Sequence, residues 1–177
     1  MSVRYDLKNL SVVHYPDPRL RKTCLPVTEF DGDLAALAQR MLELMRAGRG
    51  VGLAAPQVGL LLRMFVMNGT DDPEQDAVYI NPVIRAREGS AEAEEGCLSL
   101  PGVNVRVRRA QRCRIDAQDL RGQRVSIVGE DLVCRVWQHE TDHLDGILIV
   151  DRMGPSDRIA TRRTLKALEE GYAGAHR

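Results

Sequence analysis

The chain has 177 residues, of which 44% are apolar and 28% charged, and its formal net charge is zero. These are ordinary globular values, so we predict a single domain spanning residues 1–177. Neutral charge without a basic patch argues against nucleic-acid readout, and no apolar run reaches the length needed to cross a membrane. With no apolar leader region and no Cys-x-x-Cys pair, we expect a cytoplasmic protein that lacks both a disulfide framework and a four-cysteine zinc site.

The predicted elements are a helix, a run of strands and two more helices. The first helix is predicted to be capped by Asp33, to place Leu37 and Met41 on its apolar face and to end at Gly48. Strands are predicted at residues 61–67, 78–84, 103–107, 112–117 and 123–128, with a loop at 71–75. A helix between about residues 130 and 145 and a charged, peripheral C-terminal helix at about 156–170 follow. Because the strands do not alternate with helices, this order predicts an α+β fold with antiparallel sheets.

The second predicted helix carries the pattern His-Glu-x-x-His. Residues four apart lie on one face of a helix, so His139 and His143 can direct their imidazoles to one point, with Glu140 beside it. The pattern supplies two nitrogen ligands for a metal ion and a carboxylate that can take a proton from water. The alternative is a buried helix with two hydrogen-bonded histidines, which requires a chance match of about one in a hundred in a chain this long.

Two histidines leave a zinc-like site short of one protein ligand. The acidic residues after His143 form no zincin-type signature for that ligand. A better candidate is Cys97, in the segment Glu95-Gly96-Cys97-Leu98-Ser99, because a thiolate binds borderline-soft divalent ions well. The basic run at 106–109 is interpreted as the solvated side of a strand, and we expect one of its arginines, Arg109, to pair with Glu95 and brace the Cys97 segment.

A glycine-rich segment reads Gly50-Val51-Gly52-Leu53-Ala54-Ala55-Pro56-Gln57-Val58-Gly59. It lacks the Gly-Lys-Ser/Thr ending of a P-loop and the glycine spacing of a Rossmann fingerprint. Its small residues permit close backbone packing, and Gln57 is its one side chain able to donate a hydrogen bond. Taken alone, the segment is more typical of a structural turn.

Together, Gly50 to Gln57, the Cys97 segment and Gln138-His139-Glu140-Thr141-Asp142-His143-Leu144 resemble the three signature motifs of the peptide deformylases, in that family's order. The resemblance runs from about residue 12 to residue 153. It implies sheets folded around a central helix that carries the metal motif. Thr141 stands where many members have methionine, and Arg135 stands at a position that is often apolar, which leaves the rim of the substrate pocket undefined.

The resemblance implies hydrolytic removal of the formyl group from formyl-methionine of newly synthesised peptides, with release of formate. Cys97, His139 and His143 would bind one divalent metal ion, ferrous iron in the cell, with zinc, nickel or cobalt as possible substitutes. Glu140 would be the general base, and Gln57 and the backbone N–H of Leu98 would stabilise the oxyanion. The partners would be formyl-methionyl nascent peptides, with the ribosome exit region as a further candidate.

The substrate peptide is expected to bind extended, as an added strand against the backbone of Val51, Gly52 and Gly96. Its methionine side chain needs an apolar pocket, for which Val51, Leu132 and Val136 are the candidates, although Leu132 and Val136 could equally pack in the core. Two other functions remain open on the residues alone. One is a His-Glu-x-x-His metallo-endopeptidase, and the other is a catalytically silent relative that binds a partner.

Overall fold

The computed structural model describes residues 5–70 and 72–175. Four helices and seven strands are present in this part of the chain. The helices are α1 (Gly32–Ala47), α2 (Asp131–Leu144), α3 (Ile149–Arg152) and α4 (Pro155–Ala175). The strands are β1 (Gly52–Ala54), β2 (Met64–Met67), β3 (Ala77–Glu88), β4 (Ala91–Gly96), β5 (Asn104–Arg109), β6 (Arg112–Gln118) and β7 (Arg124–Glu130).

The first helix begins two residues earlier than predicted. Asp31, and not Asp33, is the N-cap, and its Oδ1 accepts a 3.0 Å hydrogen bond from the backbone N–H of Leu34. The helix buries an apolar face that includes Leu37 and Met41, and Gly48 follows its last turn as predicted. This face packs against apolar side chains of the first two strands, β1 and β2, and β1 is part of the glycine-rich segment.

The strands form a five-stranded antiparallel sheet in the order β1-β2-β3-β6-β7 and a separate two-stranded sheet of β4 and β5. The predicted strand at 61–67 begins only at Met64, and the predicted strand at 78–84 continues to Glu88. The prediction missed two strands. Strand β1 has only three residues, two of them glycine and alanine, and β4, with the sequence Ala-Glu-Ala-Glu-Glu-Gly, lacks large apolar residues at alternate positions. The predicted loop at 71–75 contains a short 3₁₀ turn at Pro73–Gln75, and its residue 71 lies outside the described residues.

Helix α2 packs against both the large sheet and the glycine-rich segment. Trp137 is fully buried, and its ring meets that of Tyr79 on β3 edge to face at 5.6 Å. Gly129 on β7 makes room for the indole, because a Cβ there would lie 2.5 Å from Trp137 Cζ3. The prediction of antiparallel sheets packed around a metal-motif helix in an α+β fold is therefore confirmed.

The last helix is longer than predicted, since it runs from Pro155 to Ala175. Thr161 is its one buried residue, which agrees with a charged and peripheral element. Tyr15 in the N-terminal segment donates a 2.7 Å hydrogen bond to Glu169 on this helix. None of the described helices combines the length and apolar character required to cross a membrane.

Candidate active site

Three side chains from two distant parts of the chain converge beside β4 and α2. Cys97 follows the last residue of β4, whereas His139 and His143 project from one face of α2. Cys97 Sγ lies 3.4 Å from His143 Nε2, and the two histidine Nε2 atoms are 3.2 Å apart. The ligand atoms of all three residues lie within 4.8 Å of one another.

These separations suit a tetrahedral metal site. With metal–nitrogen bonds of about 2.0 Å and metal–sulfur bonds of about 2.3 Å, tetrahedral ligand atoms lie about 3.3 to 3.6 Å apart. Burial lowers the pKa of His143 well below its usual value, the direction that favours the neutral ring a metal ligand requires. The residues that the sequence nominates as ligands therefore form a set capable of binding one divalent cation.

Glu95 orients His139 from the side opposite to the ligand atoms. Its Oε2 lies 3.0 Å from His139 Nδ1, which leaves Nε2 facing Cys97 and His143. Burial opposes ionisation of Glu95, but hydrogen bonds from His139 and Arg109 outweigh it and hold the pKa of this carboxyl well below its usual range. Such an ionised partner fixes the orientation of a ligand histidine and raises its basicity.

The expected pairing of Arg109 with Glu95 is confirmed. Arg109 Nε and Nη2 each donate a 2.9 Å hydrogen bond to one oxygen of Glu95, and its Nη1 donates a 2.6 Å bond to Asp142 on α2. The interpretation of the basic run as solvated is right for Arg106 and Arg108, which are exposed, but wrong for Arg109, which is 5% exposed. The carboxylates of Glu95 on β4 and Asp142 on α2 explain this exception, because they neutralise the charge of Arg109.

Glu140 is buried beside the metal-ligand set. Its Oε2 has no hydrogen-bond partner among the described residues. Burial raises the pKa of Glu140 to about 7. A carboxyl group with these properties can exchange a proton near neutral pH, which is what a general acid–base residue requires.

Gln57 is held rigidly at the end of the glycine-rich segment. Its Oε1 accepts a 2.9 Å hydrogen bond from the backbone N–H of Ala54. Its Nε2 donates to Ser99 Oγ at 3.2 Å and lies 3.4 Å from Cys97 Sγ. The amide is 1% exposed, so the donor that the sequence nominates lies beside the sulfur with little freedom to turn away.

Leu98 is anchored through its side chain. A Cβ placed on Gly48 would lie 2.9 Å from Leu98 Cδ2, and one placed on Gly50 would lie 2.7 Å from Leu98 Cδ1. The leucine therefore packs directly on the backbone that links α1 to β1. This contact fixes the main chain immediately after Cys97, where the proposed N–H donor lies.

A cavity of about 380 Å³ opens beside these groups. Its lining includes all five residues that the sequence nominates for substrate contact, namely Val51, Gly52, Gly96, Leu132 and Val136. Val51 and Leu132 are 42% and 48% exposed, so Leu132 is not the core residue that the alternative assumed. Val136 is 4% exposed and packs in a hydrophobic cluster, as the core interpretation expects. It also lines the cavity, and its contact with a methionine side chain stays a prediction.

The sequence did not identify three further residues around the site. Arg49 and Glu94 also line the cavity, and nothing in their local sequence indicates this. Asp142 lies three residues after His139 on α2, a spacing that could have indicated a neighbouring position on the helix surface. Arg135, whose effect on the pocket rim was undefined, lines the cavity and bonds to Glu95.

The comparisons with known proteins agree on one family. The family model for polypeptide deformylase matches residues 9–159. A peptide deformylase of Acidobacterium capsulatum is 42% identical over 160 residues, which cover 89% of this chain and 94% of the relative. The structure of peptide deformylase from Plasmodium falciparum matches with a TM-score of 0.92 at 34% identity, covering 94% of this chain and 99% of that one. That of a peptide deformylase from Legionella pneumophila matches with a TM-score of 0.86 at 41% identity, covering 93% and 97%.

Proposed function

This chain belongs to the peptide deformylase family, and on that premise we propose that it removes the formyl group from N-terminal formyl-methionine of newly synthesised peptides. Water would be added to the formyl carbon and the carbon–nitrogen bond would break, which yields formate and a free amino terminus. One observation carries the proposal. The ligand atoms of Cys97, His139 and His143 lie within 4.8 Å of one another, next to a buried carboxyl group and an open cavity.

Cys97, His139 and His143 would hold the metal ion, which when bound supplies Lewis acidity towards water and towards a carbonyl oxygen. Glu140 acts as the general base, because its unpartnered Oε2 can accept a proton from the attacking water. The same oxygen then returns the proton to the nitrogen as the carbon–nitrogen bond breaks. Proton transfer of this kind contributes about 10²- to 10⁴-fold to the rate.

Negative charge develops on the formyl oxygen as water adds. Gln57 Nε2 and the backbone N–H of Leu98 are the donors that meet this charge, because both lie next to Cys97. Hydrogen bonds hold Gln57 in place, and side-chain packing holds Leu98. Removal of one good oxyanion donor costs about 3 to 4 kcal/mol of transition-state stabilisation. Rigid donors are effective because they need no reorganisation during the reaction.

The peptide would bind extended in the cavity, between β1 and the end of β4. The backbone of Val51, Gly52 and Gly96 offers hydrogen-bonding groups that do not depend on the peptide sequence. The methionine side chain would enter the apolar part of the lining, against Leu132 and Val136. In this arrangement, side chains of the enzyme recognise methionine. Main-chain contacts hold the peptide residues that follow it, whatever their side chains are.

We propose ferrous iron as the cellular metal, because it is the ion that this family commonly uses; the ligand set of one thiolate and two imidazoles would also accept zinc, nickel or cobalt. The whole of residues 1–177 would act as one hydrolase domain. It would work in the cytoplasm on chains that leave the ribosome, so the exit region is the place where enzyme and substrate meet.

The decisive experiment measures formate release from formyl-Met-Ala-Ser by the purified protein. The same preparation is tested for cleavage of an unformylated peptide at internal bonds, for which we expect no product. Formate release should stop when the metal is removed with a chelator and return when a divalent metal is added. Cleavage of internal bonds in place of formate release would identify a metallo-endopeptidase, and neither product from a metal-loaded protein would identify a silent relative.

A further inference from the structure

We infer that Arg135 is a positioning residue, which holds the Cys97 segment in register with the metal-binding helix. This inference rests on the proposed metal site, because it concerns how the ligands are brought together. Arg135 lies on α2, one turn before His139, and its side chain is 14% exposed. Arg135 therefore lies on the same helix as the two histidines, but its guanidinium contacts the hairpin formed by β4 and β5.

The guanidinium of Arg135 bonds to both strands of the β4–β5 hairpin. Its Nη1 donates to Glu95 Oε1 at 2.7 Å and to the backbone carbonyl of Val107 on β5 at 2.9 Å. Its Nη2 donates to the backbone carbonyl of Ala91 on β4 at 2.9 Å. This single side chain of α2 thus contacts the first residue of β4, its next-to-last residue and the neighbouring strand β5.

This link matters because the metal ligands come from the two parts that it joins. The hairpin is not paired with the five-stranded sheet, and its strand β4 leads directly into Cys97. Helix α2 carries His139 and His143, so the distance from sulfur to nitrogen depends on how hairpin and helix dock. A shift of the hairpin by a fraction of an ångström would change the 3.4 Å separation between Cys97 Sγ and His143 Nε2.

Arg135 and Arg109 act on Glu95 in different ways. Arg109 approaches from β5, is 3% exposed in its side chain and joins Glu95 to Asp142. Arg135 lies on α2 itself and binds Glu95 from the cavity side, and it makes two hydrogen bonds to backbone carbonyls that Arg109 does not make. Without it, Glu95 would keep the bonds from Arg109 and His139, but the hairpin would lose three hydrogen bonds to the helix.

A guanidinium is required for this arrangement. Its planar fork presents several donors in fixed directions, which suits a carboxylate oxygen and two carbonyls at once. Lysine carries one flexible ammonium group and cannot reproduce the fork, so it should restore the link only in part. Methionine retains an unbranched apolar stem against the cavity but supplies no donor.

The test measures metal affinity in Arg135→Met, Arg135→Lys and the wild-type protein. Each apoprotein is titrated with Co²⁺ against a competing chelator, and the thiolate-to-cobalt absorption band reports coordination by Cys97. We expect Arg135→Met to bind Co²⁺ about 10- to 100-fold more weakly than wild type, with a changed absorption band, and Arg135→Lys to be intermediate. Arg112→Met is the control, since Arg112 is an exposed arginine that also bonds two carboxylates, those of Glu88 and Glu130.

The possible outcomes separate this inference from the proposed function. A wild-type protein that fails to bind Co²⁺ stoichiometrically would refute the metal site itself. If wild type binds and Arg135→Met has the same affinity and absorption band, Arg135 is not a positioning residue, whatever the variant loses in unfolding free energy. If Arg135→Met does not fold, Arg135→Lys decides: affinity equal to wild type overturns the inference, and a loss of about tenfold supports it.

Discussion

The carboxylate of Glu140 occupies the space that a side chain at position 52 would need. A Cβ placed on Gly52 would lie 2.3 Å from Glu140 Oε1 and 2.8 Å from its Cδ. Gly52 therefore has a function that its sequence motif does not state, besides offering its backbone to the peptide. It lets the carboxylate of Glu140, the proposed general base, reach from α2 to the edge of β1 and lie beside the cavity.

We expect Gly52→Ala to displace Glu140 and to lower kcat by about 10²- to 10⁴-fold, the range of a general acid–base contribution. Metal content should remain stoichiometric, as in Glu140→Ala, because neither substitution removes a ligand. Gly154→Ala is the matched control, since nothing lies within 4 Å of a Cβ at that position. Steady-state formate release and elemental analysis check both values. Full turnover in Glu140→Ala would remove Glu140 from the mechanism, whereas full turnover in Gly52→Ala would mean that the added methyl group does not displace the Glu140 carboxylate.

Substitution of Gln57 tests the oxyanion assignment. Gln57→Ala should lower kcat by about 10²- to 10³-fold with a smaller change in KM, because the lost hydrogen bond matters mainly in the transition state. Ser99→Ala removes another partner of the same amide and serves as the control, since it leaves the donor in place. Equal losses of kcat in the two variants would mean that Gln57 acts only by supporting the Cys97 segment.

Cys97 has the most direct test of ligand identity. Cys97→Ala should lose its metal, because two histidines alone hold a divalent ion far more weakly than three ligands do. Cys113→Ala, which removes a buried thiol from the core cluster next to α2, should keep its metal even if its unfolding free energy falls. Elemental analysis after gel filtration distinguishes them, and a stoichiometric metal in Cys97→Ala would refute the ligand assignment.

Exposure to oxygen tests the identity of the metal. Ferrous iron next to a thiolate is prone to oxidation, so protein prepared under anaerobic conditions should release formate faster than protein prepared in air. Replacement of the metal by nickel or zinc should abolish the difference. Equal activity of the two native preparations, with little iron by elemental analysis, would assign zinc or nickel as the bound metal.

Local patterns predicted the parts of the site that lie on one element. His139 and His143 could be paired from their spacing because the geometry of a helix is local, and the structure places their Nε2 atoms 3.2 Å apart. The α1 face could be predicted for the same reason, although its cap is Asp31. Strand β4 could not be predicted, because its buried acidic residue, Glu95, is stabilised by Arg109 and Arg135, which lie on other elements.

From the sequence alone we could predict the fold class, the Cys97, His139 and His143 set able to bind a metal ion and the pairing of Arg109 with Glu95, and the general-base role of Glu140 stays a prediction. These follow from helix periodicity and from the chemistry that each residue type can perform. The room that Gly52 makes for Glu140 and the link that Arg135 makes between helix α2 and the β4–β5 hairpin are visible in the folded structure alone. Both relationships depend on the docking of elements that are distant along the chain, and close packing of that kind has no periodic signal in the sequence.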